Sequence, residues 1–187
     1  MSIAADESLG FCRAMSHSDR LRRLGIGTAI RETMMKPRLN PFTTAPEIMQ
    51  AMVDFENRVR DSGLEHSLVD LVKTRASQIN GCAFCIHMHT RDARARGETE
   101  ERLYLLDAWR ESPLYSDRER AALGWTEALT LVAETRAPDS DYEALKAQFS
   151  DEEQVKLTLL IAAINAWNRI AIGFRSVHPV KASRTAA

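Results

Sequence analysis

From Thr44 onward the chain is cut into helix-length pieces, and no other feature of the sequence constrains its fold as much. Thr44-Ala45-Pro46-Glu47 reads as a capping box with proline in the first turn. Ile48, Met52, Phe55 and Val59 then recur at helical spacing until Gly63 stops the helix. Leu68, Leu71, Val72 and Ile79 mark a second helix, closed by Asn80-Gly81. A third runs from Cys82 to about Arg96 with Gly97 as its stop, and a shorter fourth covers Thr99 to Trp109. Ser112-Pro113 ends that one, and Ser116-Asp117-Arg118-Glu119 opens a fifth through another capping box. Pro138 precedes a helix over Tyr142 to Phe149. Ser150-Asp151-Glu152-Glu153 caps a last long helix, whose apolar positions include Val155, Leu159, Ala162, Ala163, Ala166 and Ile170. No stretch alternates with period two and carries β-branched enrichment. The expected architecture is all-α, a helical bundle.

Residues 1–40 carry a different pattern and read as a flexible or loosely docked extension to a domain spanning 41–187. Arg13, Arg20, Arg22, Arg23, Arg31, Lys36 and Arg38 outnumber Asp6, Glu7, Asp19 and Glu32, and Gly25 and Gly27 interrupt the apolar cluster from Leu21 to Ile30. The interspersed acids favour a solvated tail over a basic binding patch. Met34 and Met35 offer an internal start for the working protein, and Cys12 is expected to do no chemistry.

With 44% hydrophobic and 27% charged residues, the composition is that of a soluble globular protein with a full core. A formal net charge of -1 gives no electrostatic case for nucleic acid or an anionic membrane surface. No apolar run approaches the roughly 20 residues that cross a bilayer, and the N-terminus lacks the apolar core of a secretory signal. Three cysteines, only two of them close together, are not the disulfide framework of a secreted domain. A cytoplasmic location is the expectation. Gly-rich phosphate loops, a Gly-x-Ser-x-Gly elbow and His-Glu-x-x-His are all missing. The last helix is apolar around much of its circumference from Leu157 to Ile172, which points to a subunit interface and a homo-oligomer.

The chemistry concentrates in Cys82-Ala83-Phe84-Cys85, just after the Asn80-Gly81 break and at the start of the third helix. A helix N-terminus offers unpaired N–H groups and the positive end of the macrodipole, which together stabilise a thiolate. In such settings a thiol pKa falls from about 8.5 into the range ~3.5–7.5. Cys82, Cys85 and His89, spaced by three and four, share one helical face, while His87 diverges and reads as solvent-facing. Three readings stay open on these residues: a redox pair, a structural zinc site using Cys82, Cys85, His87 and His89, and two buried, inert thiols. Zinc is the poorest in ligands, since no second cluster exists. Asp70 lies on the polar side of the second helix, either as a proton relay brought back beside His89 or as an exposed acid. Trp109, Trp125 and Trp167 read as core packing, and His17, His66 and His178 are given no role.

The run from Leu71 to Thr90, containing Ser77-Gln78-Ile79-Asn80-Gly81-Cys82-Ala83-Phe84-Cys85-Ile86-His87-Met88-His89, resembles the core motif of the alkylhydroperoxidase D-like branch of the carboxymuconolactone decarboxylase family. Ala108-Trp109-Arg110-Glu111 and Ile164-Asn165-Ala166-Trp167-Asn168-Arg169 are similar to the same branch, and the likeness spans about residues 37–178. The paired cysteines belong to the peroxidase-like members, whereas decarboxylase members generally do without them.

The resemblance implies an all-helical homo-oligomer that reduces hydroperoxides and is regenerated by a dithiol or lipoyl-type protein reductant, with no metal or organic cofactor. Cys85 matches the peroxidatic thiol, Cys82 the resolving thiol and His89 the relay histidine. Asp70 falls where the family places a glutamate and reaches about 1.5 Å less far, so its contact with His89 is expected to run through water. Phe84 replaces a histidine of the well-known hydroperoxidase and makes the thiol site drier. A carboxymuconolactone decarboxylase-like lyase and a non-enzymatic redox-sensing module are the alternatives.

Overall fold

The computed structural model describes residues 36–179, and every regular element among them is helical. In chain order these are α1 (Pro41–Thr44), α2 (Pro46–Arg60), α3 (His66–Ile79), α4 (Ala83–Ala95), α5 (Glu100–Tyr104), a 3-10 turn (Leu106–Ala108), α6 (Asp117–Thr130), α7 (Val132–Thr135), α8 (Asp139–Gln148) and α9 (Asp151–Phe174). The chain forms the all-α architecture that its punctuation specifies. Cys12, the Arg20–Arg23 patch, Met34, Met35 and nearly all of the expected extension lie outside the described residues. Residues 37–40, counted with that extension, dock firmly: the Arg38 N–H donates to Phe174 O at 3.0 Å and its guanidinium to Gly173 O at 2.9 Å.

Of the two expected capping boxes the one at Ser116 forms, and the Ser150 cap is a capping box as well. The Ser116 and Ser150 hydroxyls accept the N–H groups of Glu119 and Glu153, and each glutamate reaches back to its serine. The box at Thr44 does not form. Asn40 caps a separate short helix, so the Thr44 hydroxyl donates to Asn40 O at 2.8 Å and Ala45 stands uncapped before α2. The expected helix over Thr99–Trp109 breaks at Leu105 into a 3-10 turn. Its tighter winding brings Leu106 and Trp109 to one side, where both pack with Leu71, Tyr115 and Leu123.

The helix α9 runs through the core. Leu157, Leu160 and Ile161 pack against Val59 of α2, Val72 of α3, Ala122 and Trp125 of α6, and Leu145 of α8. Each such large side chain contributes about 1.5–3 kcal/mol through burial. The inward face differs from the expected one: Val155, Leu159 and Ala162 are exposed, and Ile164, Asn165 and Asn168 are buried in their place. A helix apolar all round does not announce its face, and the two asparagines counted wrongly against the buried side. Its length and apolarity also reach what crossing a membrane requires, contrary to the expectation from apolar runs. The acids Asp151, Glu152 and Glu153 crowd its first turn, and Leu157, Leu160 and Ile161 belong to the core cluster.

Those asparagines position the site. Asn80, at the end of α3, donates to Asn165 Oδ1 at 3.0 Å and Asn168 Oδ1 at 2.8 Å. Asn168 in turn donates to Ser77 Oγ at 3.1 Å. Gly81 follows with φ 68°, the left-handed backbone that a side chain would strain, and reverses the chain into α4. The turn leading to Cys82 is therefore clamped to α9.

Candidate active site

Cys82 is the N-cap of α4, and its Sγ accepts the Cys85 N–H at 3.4 Å. The two sulfurs stand at disulfide-bonding distance with Cα atoms 5.4 Å apart. Both residues are buried, packed with Phe84 and Ala171. Cys85 and His89, one turn apart, open onto the same cavity of about 580 Å³. Cys82 does not line it. The remaining wall is largely apolar: Phe84 and Met88 from α4, Phe42 from α1, and Ile164, Trp167, Ile170 and Phe174 from α9.

His89 is buried, and its Nε2 has no hydrogen-bond partner among the described residues. Burial, aided by the nearby positive charges of Lys73 and Arg96, pushes the imidazole from 6.5 down to about 4, against the pull of Asp92. It is therefore neutral at pH 7 and can accept a hydrogen bond.

This depression makes stability depend on pH. The unfolded chain binds the His89 proton near pH 6.5 and the folded chain only near 4, so stability present above 6.5 is lost as the pH falls between those values. The loss amounts to roughly 3 kcal/mol at about 1.4 kcal/mol per pH unit. Asp70, whose pKa burial raises, works in the opposite direction at the acid end. Thermal melts at pH 7 and pH 4.5 check the sign: wild type should lose more stability on acidification than His89→Gln.

Asp70 is not the exposed acid that the polar-side reading allowed. It is 6% exposed, and both its oxygens accept from Arg96 Nη1 at 2.7 Å. Burial lifts its pKa above the usual carboxylate value, against the pull of Arg96 and Lys73. It neither lines the cavity nor hydrogen-bonds His89. Instead it ties α3 to Arg96, the C-cap of α4. His87 also departs from its expected solvent-facing position: it is half-buried and stacks on His178 with ring centroids 4.8 Å apart. Among the described residues, no group of three or more His, Cys, Asp or Glu side chains is gathered closely enough to hold a metal ion.

Three residues of the cavity were not singled out for it from the sequence. Trp167, read as core, is a wall, with its indole N–H buried and without a partner among the described residues. Glu56 and Lys73 are the other two: the Lys73 ammonium donates to Glu56 Oε1, and both line the cavity. A lysine set among Leu71, Val72 and Thr74, in a run buried without a break from Leu68 to Thr74, was the available signal.

The carboxymuconolactone decarboxylase family profile matches residues 46–128. YdfG of Bacillus subtilis, an uncharacterised protein, is 46% identical over 138 residues, or 74% of this chain and 94% of YdfG. Among solved structures, ATU0492 from Agrobacterium tumefaciens is a protein of unknown function put forward as an antioxidant defence protein AhpD. It is 54% identical with a TM-score of 0.77, covering 78% of this chain and 100% of its own. A peroxidase-related protein with an alkylhydroperoxidase AhpD core from Ralstonia eutropha JMP134 shares the fold, with a TM-score of 0.66 at 18% identity and 86% of both chains covered.

Proposed function

The chain belongs to the carboxymuconolactone decarboxylase family, in its alkylhydroperoxidase D-like branch, and on that premise we propose that it is a thiol-dependent peroxidase reducing hydroperoxides. The observation that supports this reading best is the meeting of Cys85 and His89 on one cavity wall, with Cys82 at bonding distance behind. Only Cys85 of the two sulfurs faces the space a substrate would enter. The Cys85 thiolate, favoured by the N-terminus of α4, attacks the O–O bond and becomes a sulfenic acid. The neutral His89 imidazole accepts hydrogen bonds from the thiol or the incoming hydroperoxide. Cys82 condenses with the sulfenic acid to form the disulfide, and a dithiol or lipoyl-type protein reductant reopens it. Asp70 acts at one remove, holding through Arg96 the far end of the helix that carries Cys85 and His89.

A homo-oligomer working in the cytoplasm belongs to the same reading. The exposed Val155, Leu159 and Ile172 of α9 are apolar positions that a second copy would cover. Purified protein mixed with cumene hydroperoxide and dithiothreitol tests the activity. The expected result is peroxide loss proportional to protein and well above the dithiol background. Loss no faster than background overturns the proposal and leaves the lyase and sensor readings.

A further inference from the structure

We propose that Glu56 and Lys73 are the charged pair serving the Cys85 thiol, and that Glu56 carries the proton of the peroxide step. The second half of this assignment rests on the peroxidase reading.

Glu56 and Lys73 are the charged side chains among the described residues that line the cavity onto which Cys85 and His89 open. The other titratable groups acting on His89 are Asp92 and Arg96, both on or at the end of α4, and neither lines the cavity. From α9 the wall receives Ile164, Trp167, Ile170, Ala171 and Phe174, none of them charged. The Lys73 side chain is only 6% exposed and donates a hydrogen bond to Glu56 Oε1. A buried ammonium needs such a partner to stay charged. Glu56, however, has a second oxygen. Its Oε2 is buried and lacks any hydrogen-bond partner among the described residues. An orphaned carboxylate oxygen of this kind calls for an S–H or O–H donor, and Cys85 opens onto the same cavity that Glu56 lines. Asp70 has no comparable vacancy, since Arg96 takes both its oxygens. His89, with its pKa near 4, is a neutral imidazole at pH 7 and lacks the acidic imidazolium proton that a leaving group would take.

In the step this implies, the Cys85 S–H proton passes to Glu56 Oε2, and Lys73 stabilises the thiolate left behind. The thiolate attacks the terminal oxygen of the hydroperoxide. An S–O bond forms as the O–O bond breaks, and the departing alkoxide takes the proton back from Glu56 and leaves as the alcohol. Cys85 is now a sulfenic acid and Glu56 again a carboxylate. The Cys82 thiol condenses with the sulfenic acid, releasing water, and a dithiol returns both sulfurs to thiols.

The test titrates Cys85 alone by thiolate absorbance, in protein with Cys12 and Cys82 replaced by serine. Lys73→Met should raise the thiol pKa by at least about one unit, a tenfold loss of thiolate below it. Glu56→Gln should lower the pKa, because it leaves the ammonium unopposed, yet should slow peroxide-driven sulfenic acid formation at least about tenfold. Lys73→Arg should stay near the parent. Opposite shifts from the two halves of one ion pair are what a merely structural pair would not produce. Shifts of the same sign, or none, overturn the proposal. Should Lys73→Met fail to fold, the double variant Glu56→Gln/Lys73→Met replaces the pair with neutral groups and is read against Glu56→Gln alone. Its thiol pKa should lie above that of Glu56→Gln, because the ammonium is gone, and an equal or lower value overturns the proposal. The titration needs no peroxide, so expected shifts in a protein that consumes no hydroperoxide would sink the peroxidase reading and keep the charged pair.

Discussion

Cys85→Ser ends hydroperoxide turnover, with a loss on the order of a thousandfold or more, while Cys82→Ser yields a protein that reacts once and stops. The asymmetry comes from position. Cys85 lines the cavity and Cys82 sits behind it as the N-cap of α4. Serine at position 85 keeps the shape but cannot form an anion near neutral pH or attack an O–O bond. Serine at position 82 still caps α4, since a hydroxyl accepts the Cys85 N–H as the sulfur does. The helix start therefore survives, and only the condensation is lost. Dimedone labelling followed by mass spectrometry checks the roles: the Cys82→Ser protein should carry one label on Cys85 after a single addition of peroxide. A label on Cys82 in the Cys85→Ser protein instead would reverse them.

Replacing Asn168 by leucine should cost about 3 kcal/mol of stability, lowering Tm by roughly 10 °C in a domain of this size. Asn168 is completely buried and bridges Asn80 and Ser77. Leucine leaves the half-buried Asn80 amide with one acceptor fewer and the fully buried Ser77 hydroxyl without its donor. Glu143→Ala, at an exposed position of α8, should stay within about 0.5 kcal/mol. Thermal or denaturant melts of the two variants measure the contrast. Because Asn80 lies two residues before Cys82, the leucine variant should also close its disulfide more slowly in a stopped-flow oxidation.

What the sequence made legible was local. Cys85 and His89 lie one turn apart on one helix, so their common face follows from helical geometry alone, while Cys82, as the non-helical N-cap, sits behind it. The serine-glutamate boxes at 116 and 150 are equally self-contained. Longer-range partnerships were not readable. The Glu56–Lys73 and Asp70–Arg96 pairs join residues 17 and 26 apart, and only the packing of α2, α3 and α4 brings them together. Thr44 misled for a related reason: Asn40 claimed the first cap and absorbed the threonine into a helix of its own. On α9 the apolar pattern had no polar side to orient it, and the buried asparagines became legible only once Asn80, Thr130 and Ser77 stood opposite them.

Cys82 holds two posts at once: its sulfur can bridge to Cys85, and it also receives an amide at the tip of α4. A negatively charged sulfur fills the second post better than a bridged one, because the helix end attracts anions. Opening the bridge is thus rewarded by the backbone itself. A pair whose open form is favoured in this way draws electrons readily from a passing dithiol. In the proposed peroxidase cycle the helix tip would then act as a spring set toward the reduced state, and recharging between turnovers should be easy.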